Sequence, residues 1–207
     1  MRVRIKFCGI TRIEDAEAAV AAGVDALGFV LTRRSRRHVE PADAARIARS
    51  LPPFISTVAL FMDDDPEWID EAIDNLNPDL LQFHGNESPE DCERHACPYL
   101  KAGPMGAISD VPSYAAAYAG ATGLLLDANA IGEAGGSGHS FDWTRVPDLP
   151  KPMILAGGLD AMNVGRAIRL TRPYGVDVSS GIEAAPGIKD ARKMRDFVAA
   201  VRAAIQP

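Results

Sequence analysis

The sequence predicts an α/β fold: a single-domain (β/α)8 TIM barrel spanning residues 1–207. Three observations carry that expectation. Eight short apolar segments recur along the chain, each closed by a polar or glycine-rich turn. Most are continuous apolar runs rather than alternations, as parallel strands buried on both faces require. Helical patterns lie between them, and strand–helix alternation builds a parallel sheet. Eight such units suggest closure into a barrel, near that fold's lower length limit. An open doubly wound sheet is the alternative. No composition break or linker divides the chain.

The first strand is read at 3–8, ending in Cys8. Thr11-Arg12-Ile13-Glu14 then has the form of a capping box, with Thr11 as cap and Glu14 reaching back to its amide. The second strand is read at 26–31. Glu40-Pro41 opens the next helix with proline at the first helical position, where no N–H is needed. Asp65-Pro66 repeats this after a strand at 55–61, and Ser88-Pro89 after a strand at 80–83. The fifth strand, at 99–102, precedes a weaker stretch at 106–120 with Pro112 and many alanines, where a short or irregular helix is expected. Strands six and seven are read at 123–127 and 153–156. Asp160 is a candidate cap for the helix carrying Val164, Ala167 and Ile168. The last strand is read at 176–179, and Asp190 starts the final helix, with Met194, Phe197, Val198 and Val201 along one face.

Composition excludes several classes. With 47% hydrophobic and 24% charged residues the chain carries enough apolar material to offset chain entropy, so it is not disordered. The net charge of −6 argues against nucleic-acid binding, where a basic face must neutralise phosphates. No apolar run is long enough to span a bilayer. Charges alternate with apolar residues in Met1-Arg2-Val3-Arg4-Ile5-Lys6, which is not a signal peptide. Three cysteines, Cys8, Cys92 and Cys97, are an odd and sparse set, best read as reduced thiols in a cytoplasm.

A barrel of this kind forms its active site at the C-terminal strand ends. Cys8 ends the first strand, Asp127 the sixth, and Asp177 lies in the eighth; His84 follows the fourth, and Arg33-Arg34-Ser35-Arg36-Arg37-His38 follows the second. Singly, each has an ordinary explanation. A cysteine among apolar residues is usually a small core hydrophobe, an Asp after leucines a turn former, and an arginine cluster a solvated face. Asp177 is harder to dismiss, since a buried carboxylate needs a partner. Their convergence on one rim is what favours function. Gly135-Gly136-Ser137-Gly138, Gly157-Gly158 and Ser179-Ser180-Gly181 follow strands six, seven and eight. Glycine lets backbone amides approach a phosphate, and this quarter of a barrel commonly holds one. Nucleotide and dinucleotide glycine motifs are absent. Cys92-x-x-His95-x-Cys97 has no second matching pair and a spacing that splits helix faces, so no metal is expected.

In order and combination these segments resemble the phosphoribosylanthranilate isomerase family over essentially the whole chain. The matching runs are Lys6-Phe7-Cys8-Gly9-Ile10-Thr11, Ser35-Arg36-Arg37-His38-Val39, Leu81-Gln82-Phe83-His84-Gly85, Leu126-Asp127, Gly135-Gly136-Ser137-Gly138, Leu155-Ala156-Gly157-Gly158-Leu159 and Val176-Asp177-Val178-Ser179-Ser180-Gly181. The chain departs from the family pattern at Arg36, where proline is frequent, and at Phe83, where leucine is usual. The resemblance implies a (β/α)8 barrel and an Amadori rearrangement of a phosphoribosyl anthranilate. It implies Cys8 as base and Asp127 as acid. Arg37 is a candidate for the anthranilate carboxylate, since a planar guanidinium matches a carboxylate fork. His84 and Asp177 are candidates for contacts with the sugar or anthranilate part, and Gly136, Gly157, Gly158, Ser180 and Gly181 for presenting backbone amides to the phosphate. No cofactor is implied, and the expected state is monomer or homodimer. Both catalytic roles require perturbed pKa values: Asp127 raised, and Cys8 lowered by Lys6 or Arg37. The rival readings are the related histidine-pathway isomerase and a non-catalytic phosphosugar-binding barrel.

Overall fold

The computed structural model describes residues 2–128 and 142–205. Eight parallel strands alternate with helices in the order β1 (Arg4–Cys8), α1 (Ile13–Ala22), β2 (Ala26–Val30), α2 (Pro41–Ala48), β3 (Ser56–Phe61), α3 (Pro66–Leu76), β4 (Leu80–Phe83), α4 (Pro89–Glu93), β5 (Tyr99–Pro104), α5 (Val111–Ala117), β6 (Gly123–Asp127), β7 (Met153–Leu155), α6 (Val164–Thr171) and β8 (Gly175–Val178). A short hairpin, β9 (Glu183–Ala185) and β10 (Ile188–Lys189), precedes α7 (Ala191–Ala204). The strands pair in sequence order and β8 closes onto β1, so the barrel, not the open sheet, is the architecture.

The apolar runs have the expected cause. Outward residues such as Phe7, Phe29, Phe61, Phe83, Leu126 and Leu155 join helix residues Ala16, Ile47, Ile69, Ala167 and Phe197 in one buried shell. Phe7 meets Phe197 edge-on at 6.0 Å. Inside the barrel lie two smaller groups: Leu100, Ala102, Leu125, Ile154 and Ala156 on one side, and Cys8, Val30 and Leu60 on the other. Phe83, the departure on β4, belongs to the outer shell. It stacks against His95 at 6.1 Å and meets Tyr99 edge-on at 5.8 Å, away from the barrel mouth.

Helix starts follow the sequence in most places. Prolines 41, 66 and 89 occupy first-turn positions. Ser88 and Asp91 form a reciprocal capping box, and Asp190 caps α7 by accepting from the amides of Arg192 and Lys193. The 106–120 stretch yields only the seven-residue α5, capped by Asp110. Two expectations need correction. Thr11 does not cap α1: Arg12 stands at the N-cap without a side-chain bond, because the Thr11 hydroxyl donates instead to Gly187 O in the hairpin turn. Asp160 is not the N-cap of α6 either; that position is Asn163. Asp160 organises the preceding turn, accepting from the amides of Met162 at 2.8 Å and Asn163 at 2.9 Å. Between β6 and β7 the described residues hold no α-helix, only a short 3-10 turn, Trp143–Arg145.

Candidate active site

Strand ends deliver the reactive groups to one cavity at the C-terminal mouth of the barrel. Cys8, Arg37, His84, Asp127, Gly157, Gly158, Asp177 and Ser180 all line it. Its non-atom space is about 690 Å3, open solvent at the mouth included. Cys8 comes from β1 and Asp127 from β6, with β7 and β8 between them. Gly157, Gly158 and Ser180, in the turns after those two strands, complete that arc of the rim.

Each group is held by neighbours. Gln82, fully buried on β4, donates its amide to His84 Nδ1 at 3.0 Å. The imidazole proton then sits on Nε2, which faces Asp127 Oδ2 at 3.5 Å. Arg37 is the arginine of the second-strand loop that reaches the cavity, while Arg36 is exposed. Arg37 forks onto Glu183, Nε to Oε1 and Nη2 to Oε2, both at 2.8 Å. Lys189 donates to the same Glu183 oxygen at 2.8 Å and to Ser179 O at 3.2 Å. Burial pushes the Glu183 carboxyl up, but Arg37 and Lys189 more than reverse this and hold it below its ordinary value. Burial wins at Lys189, whose ammonium lies below its ordinary value despite Glu183. Deeper in, Lys6 Nζ donates to Asp177 Oδ1 at 2.9 Å.

The glycines matter individually. Gly157 and Gly158 have φ of +83° and +61°, the left-handed region that disfavours side chains. A Cβ on Gly181 would strike Leu159 O, so Gly181 packs the turns after β7 and β8 together, and it does not line the cavity as its neighbour Ser180 does. Gly136 lies outside the described residues.

One electrostatic expectation fails for the unliganded site. The Cys8 thiol is raised above its ordinary value, not lowered. Burial pushes it up, Lys6 and Lys189 pull it down, and Asp177 pushes it up again. Sequence reasoning also missed Gln82, Glu183 and Lys189. A polar Gln inside an apolar strand was the readable signal for the first. Nothing in the local sequence marks Glu183 as the partner of Arg37, which is 146 positions away.

Comparison with known proteins agrees with this geometry. Residues 5–200 match the family described as N-(5'phosphoribosyl)anthranilate (PRA) isomerase. A relative from Pseudomonas aeruginosa, named N-(5'-phosphoribosyl)anthranilate isomerase, is 54% identical over 97% of this chain and 95% of its own length. The solved phosphoribosyl anthranilate isomerase of Thermus thermophilus superposes with a TM-score of 0.88 at 38% identity, covering 97% of this chain and 99% of that one. Another solved isomerase, in complex with reduced 1-(o-carboxyphenylamino)-1-deoxyribulose 5-phosphate, superposes at 0.82 with 35% identity over 98% and 100% of the two chains. Monomers generated from the dimeric isomerase of Thermotoga maritima superpose at 0.83 with 34% identity over 97% and 99%. The chain belongs to the N-(5'-phosphoribosyl)anthranilate isomerase family.

Proposed function

We propose that this chain catalyses the Amadori rearrangement of N-(5-phospho-β-D-ribosyl)anthranilate to 1-(2-carboxyphenylamino)-1-deoxy-D-ribulose 5-phosphate, a step of L-tryptophan biosynthesis. The observation that carries the proposal is the meeting of Cys8 and Asp127 in one cavity, with the glycine and serine turns of β7 and β8 between them. Residues 1–207 act as one domain, without a cofactor, in the cytoplasm. No described helix is long and apolar enough to cross a membrane, and Cys8, Cys92 and Cys97 are all free thiols.

The reaction needs an acid at the furanose oxygen, a base at the sugar C2 and a fixed phosphate between them. The turns at Gly157, Gly158, Ser180 and Gly181, with Gly136, take the 5'-phosphate. That anchor aims the sugar down between β6 and β1. Asp127 gives its proton to the ring oxygen; the C1–O bonding pair leaves with that oxygen, and the nitrogen lone pair forms the C1–N double bond of the Schiff base. His84 Nε2–H supports the carboxylate left behind. Cys8, as thiolate, removes the C2 proton; the C–H pair becomes the double bond of the enolamine, which tautomerises to the ketone. Arg37 presents its guanidinium to the anthranilate carboxylate, and Asp177 contacts the substrate hydroxyls.

A homodimer is the assembly we favour over a monomer. Phe54 is 100% exposed in the turn before β3, beside the apolar N-terminal opening of the barrel lined by Val58, Leu100 and Ile154. The dimeric isomerase of Thermotoga maritima, 34% identical, supports the same state here. The function is tested by incubating the purified protein with the phosphoribosyl anthranilate, and by complementing tryptophan and histidine auxotrophs in parallel. Turnover with rescue of the tryptophan auxotroph is expected. Binding without turnover would leave a phosphosugar-binding barrel, and rescue of the histidine auxotroph alone would name the rival isomerase.

A further inference from the structure

Lys6 and Cys8 stand two residues apart on β1, so both side chains point into the barrel. β1 pairs with β8 in a register that sets Lys6 against Asp177. The ammonium donates to Asp177 Oδ1 at 2.9 Å, with both side chains buried. Its positive charge acts on the Cys8 thiol against the burial that raises it. On β2 a glycine makes this possible: a Cβ on Gly28 would lie 2.9 Å from Cys8 Sγ and 3.0 Å from Lys6 Nζ. Sealing a lysine inside a barrel carries a large desolvation cost that a packed apolar residue avoids. Here the buried charge lies beside Cys8, the one thiol among the described residues that line the active cavity.

We propose that Lys6, anchored by Asp177, is the positioning residue that makes Cys8 a base. The proposal rests on the reading of Cys8 as base, and it decides between the two cations that the sequence offered. Three other charged groups face the thiol: Asp177 from β8, Lys189 from β10, and Arg37 from the loop after β2. Arg37 and Lys189 both bind Glu183, which offsets their field at the sulfur. Lys6 shares the face of β1 with Cys8, and its Nζ and the sulfur both lie about 3 Å from the same point beside Gly28. It has the largest pull toward thiolate of any charged group there. Burial pulls the Lys6 ammonium down, but Asp177 and Cys8 more than reverse this, so it stays charged through the cycle. When the thiolate takes the C2 proton, the S–H bond forms and the C–H pair enters the enolamine. Lys6 neither gains nor loses a proton; it pairs with the anion beforehand and releases it as thiol.

The test measures the rate of Cys8 alkylation by iodoacetamide against pH, resolved by peptide mass spectrometry, on folded full-length variants. Lys6→Met removes the ammonium and should move the inflection about one unit or more to the alkaline side. Turnover at neutral pH should fall at least about tenfold, since one unit is a tenfold change in thiolate. Asp177→Asn removes the opposing anion and should move the inflection to the acid side. A purely structural pair would disturb Cys8 in the same sense from either partner. Should Lys6→Met fail to fold with Asp177 unpaired, Lys6→Met/Asp177→Asn restores neutrality and should still inflect on the alkaline side of wild type. An unchanged inflection in a folded protein lacking the ammonium, or shifts of the same sign in both single variants, overturns the proposal. Cys8→Ser separates the two readings. If it is inactive while Lys6→Met alkylates as wild type does, Cys8 stands as base and the Lys6 role falls; if it turns over normally, the reading of Cys8 as base falls.

Discussion

A thiol that is to act as a base must first lose its proton, and burial beside Val30 and Leu60 opposes that loss. The free protein therefore holds Cys8 on the protonated side of an ordinary thiol. The sign gives a pH prediction. Alkylation of Cys8 in the free protein should accelerate only on the alkaline side of an ordinary thiol, while Cys92, pushed up to about 12 by burial, stays unreactive over the same range. Peptide-resolved alkylation from neutral pH upward measures both. Asp127 is tested by Asp127→Asn, which keeps shape and removes the transferable proton. Turnover should fall by at least ~10²-fold with much smaller change in product-analogue affinity. At this scale the sequence displayed Cys8 and Asp127 as polar ends of apolar strands, His84 just after one, Asp177 inside one and Arg37 in a basic cluster. It did not display their partners. Lys6 and Asp177 are 171 positions apart, and only barrel closure brings them together.

The hairpin of β9 and β10 is the element that sequence reading passed over. Its strands are three and two residues long, too short for a periodicity signal. The Pro186-Gly187 dipeptide was the available cue, with Gly187 at φ +78°. The hairpin supplies Glu183 to Arg37 and Lys189, takes the Thr11 hydroxyl and so displaces the expected cap of α1. Glu183→Gln leaves two cations against a neutral group. Breaking a buried pair of this kind costs roughly 3–5 kcal/mol. Because the folded Glu183 carboxyl lies below its ordinary value, its contribution is present above the ordinary carboxylate range and fades as pH falls through it. The difference in Tm between wild type and Glu183→Gln should thus be largest near neutral pH and shrink in acid. A constant difference across that range would show that the charge is not what stabilises the hairpin.

Across the whole molecule, the barrel was the most legible feature. Its strands are buried on both faces, so each reads as an apolar run, and the eight expected segments match β1 through β8 to within a residue or two at each end. The regularity fails after β6, where the chain is glycine-rich and the described residues form only a turn before β7. The proposed homodimer places Phe54, fully exposed before β3, at its interface. Phe54→Asp should convert a homodimer to monomer in light scattering while leaving the barrel folded by circular dichroism. A wild-type protein that is already monomeric would refute the dimer. The central claim is that Cys8 is a base and not a packing residue, and the turnover of purified, folded Cys8→Ser protein tests it most directly. The account predicts that turnover collapses while a product analogue still binds, because a serine hydroxyl is far harder to deprotonate than a thiol. Wild-type turnover from that folded protein would contradict it.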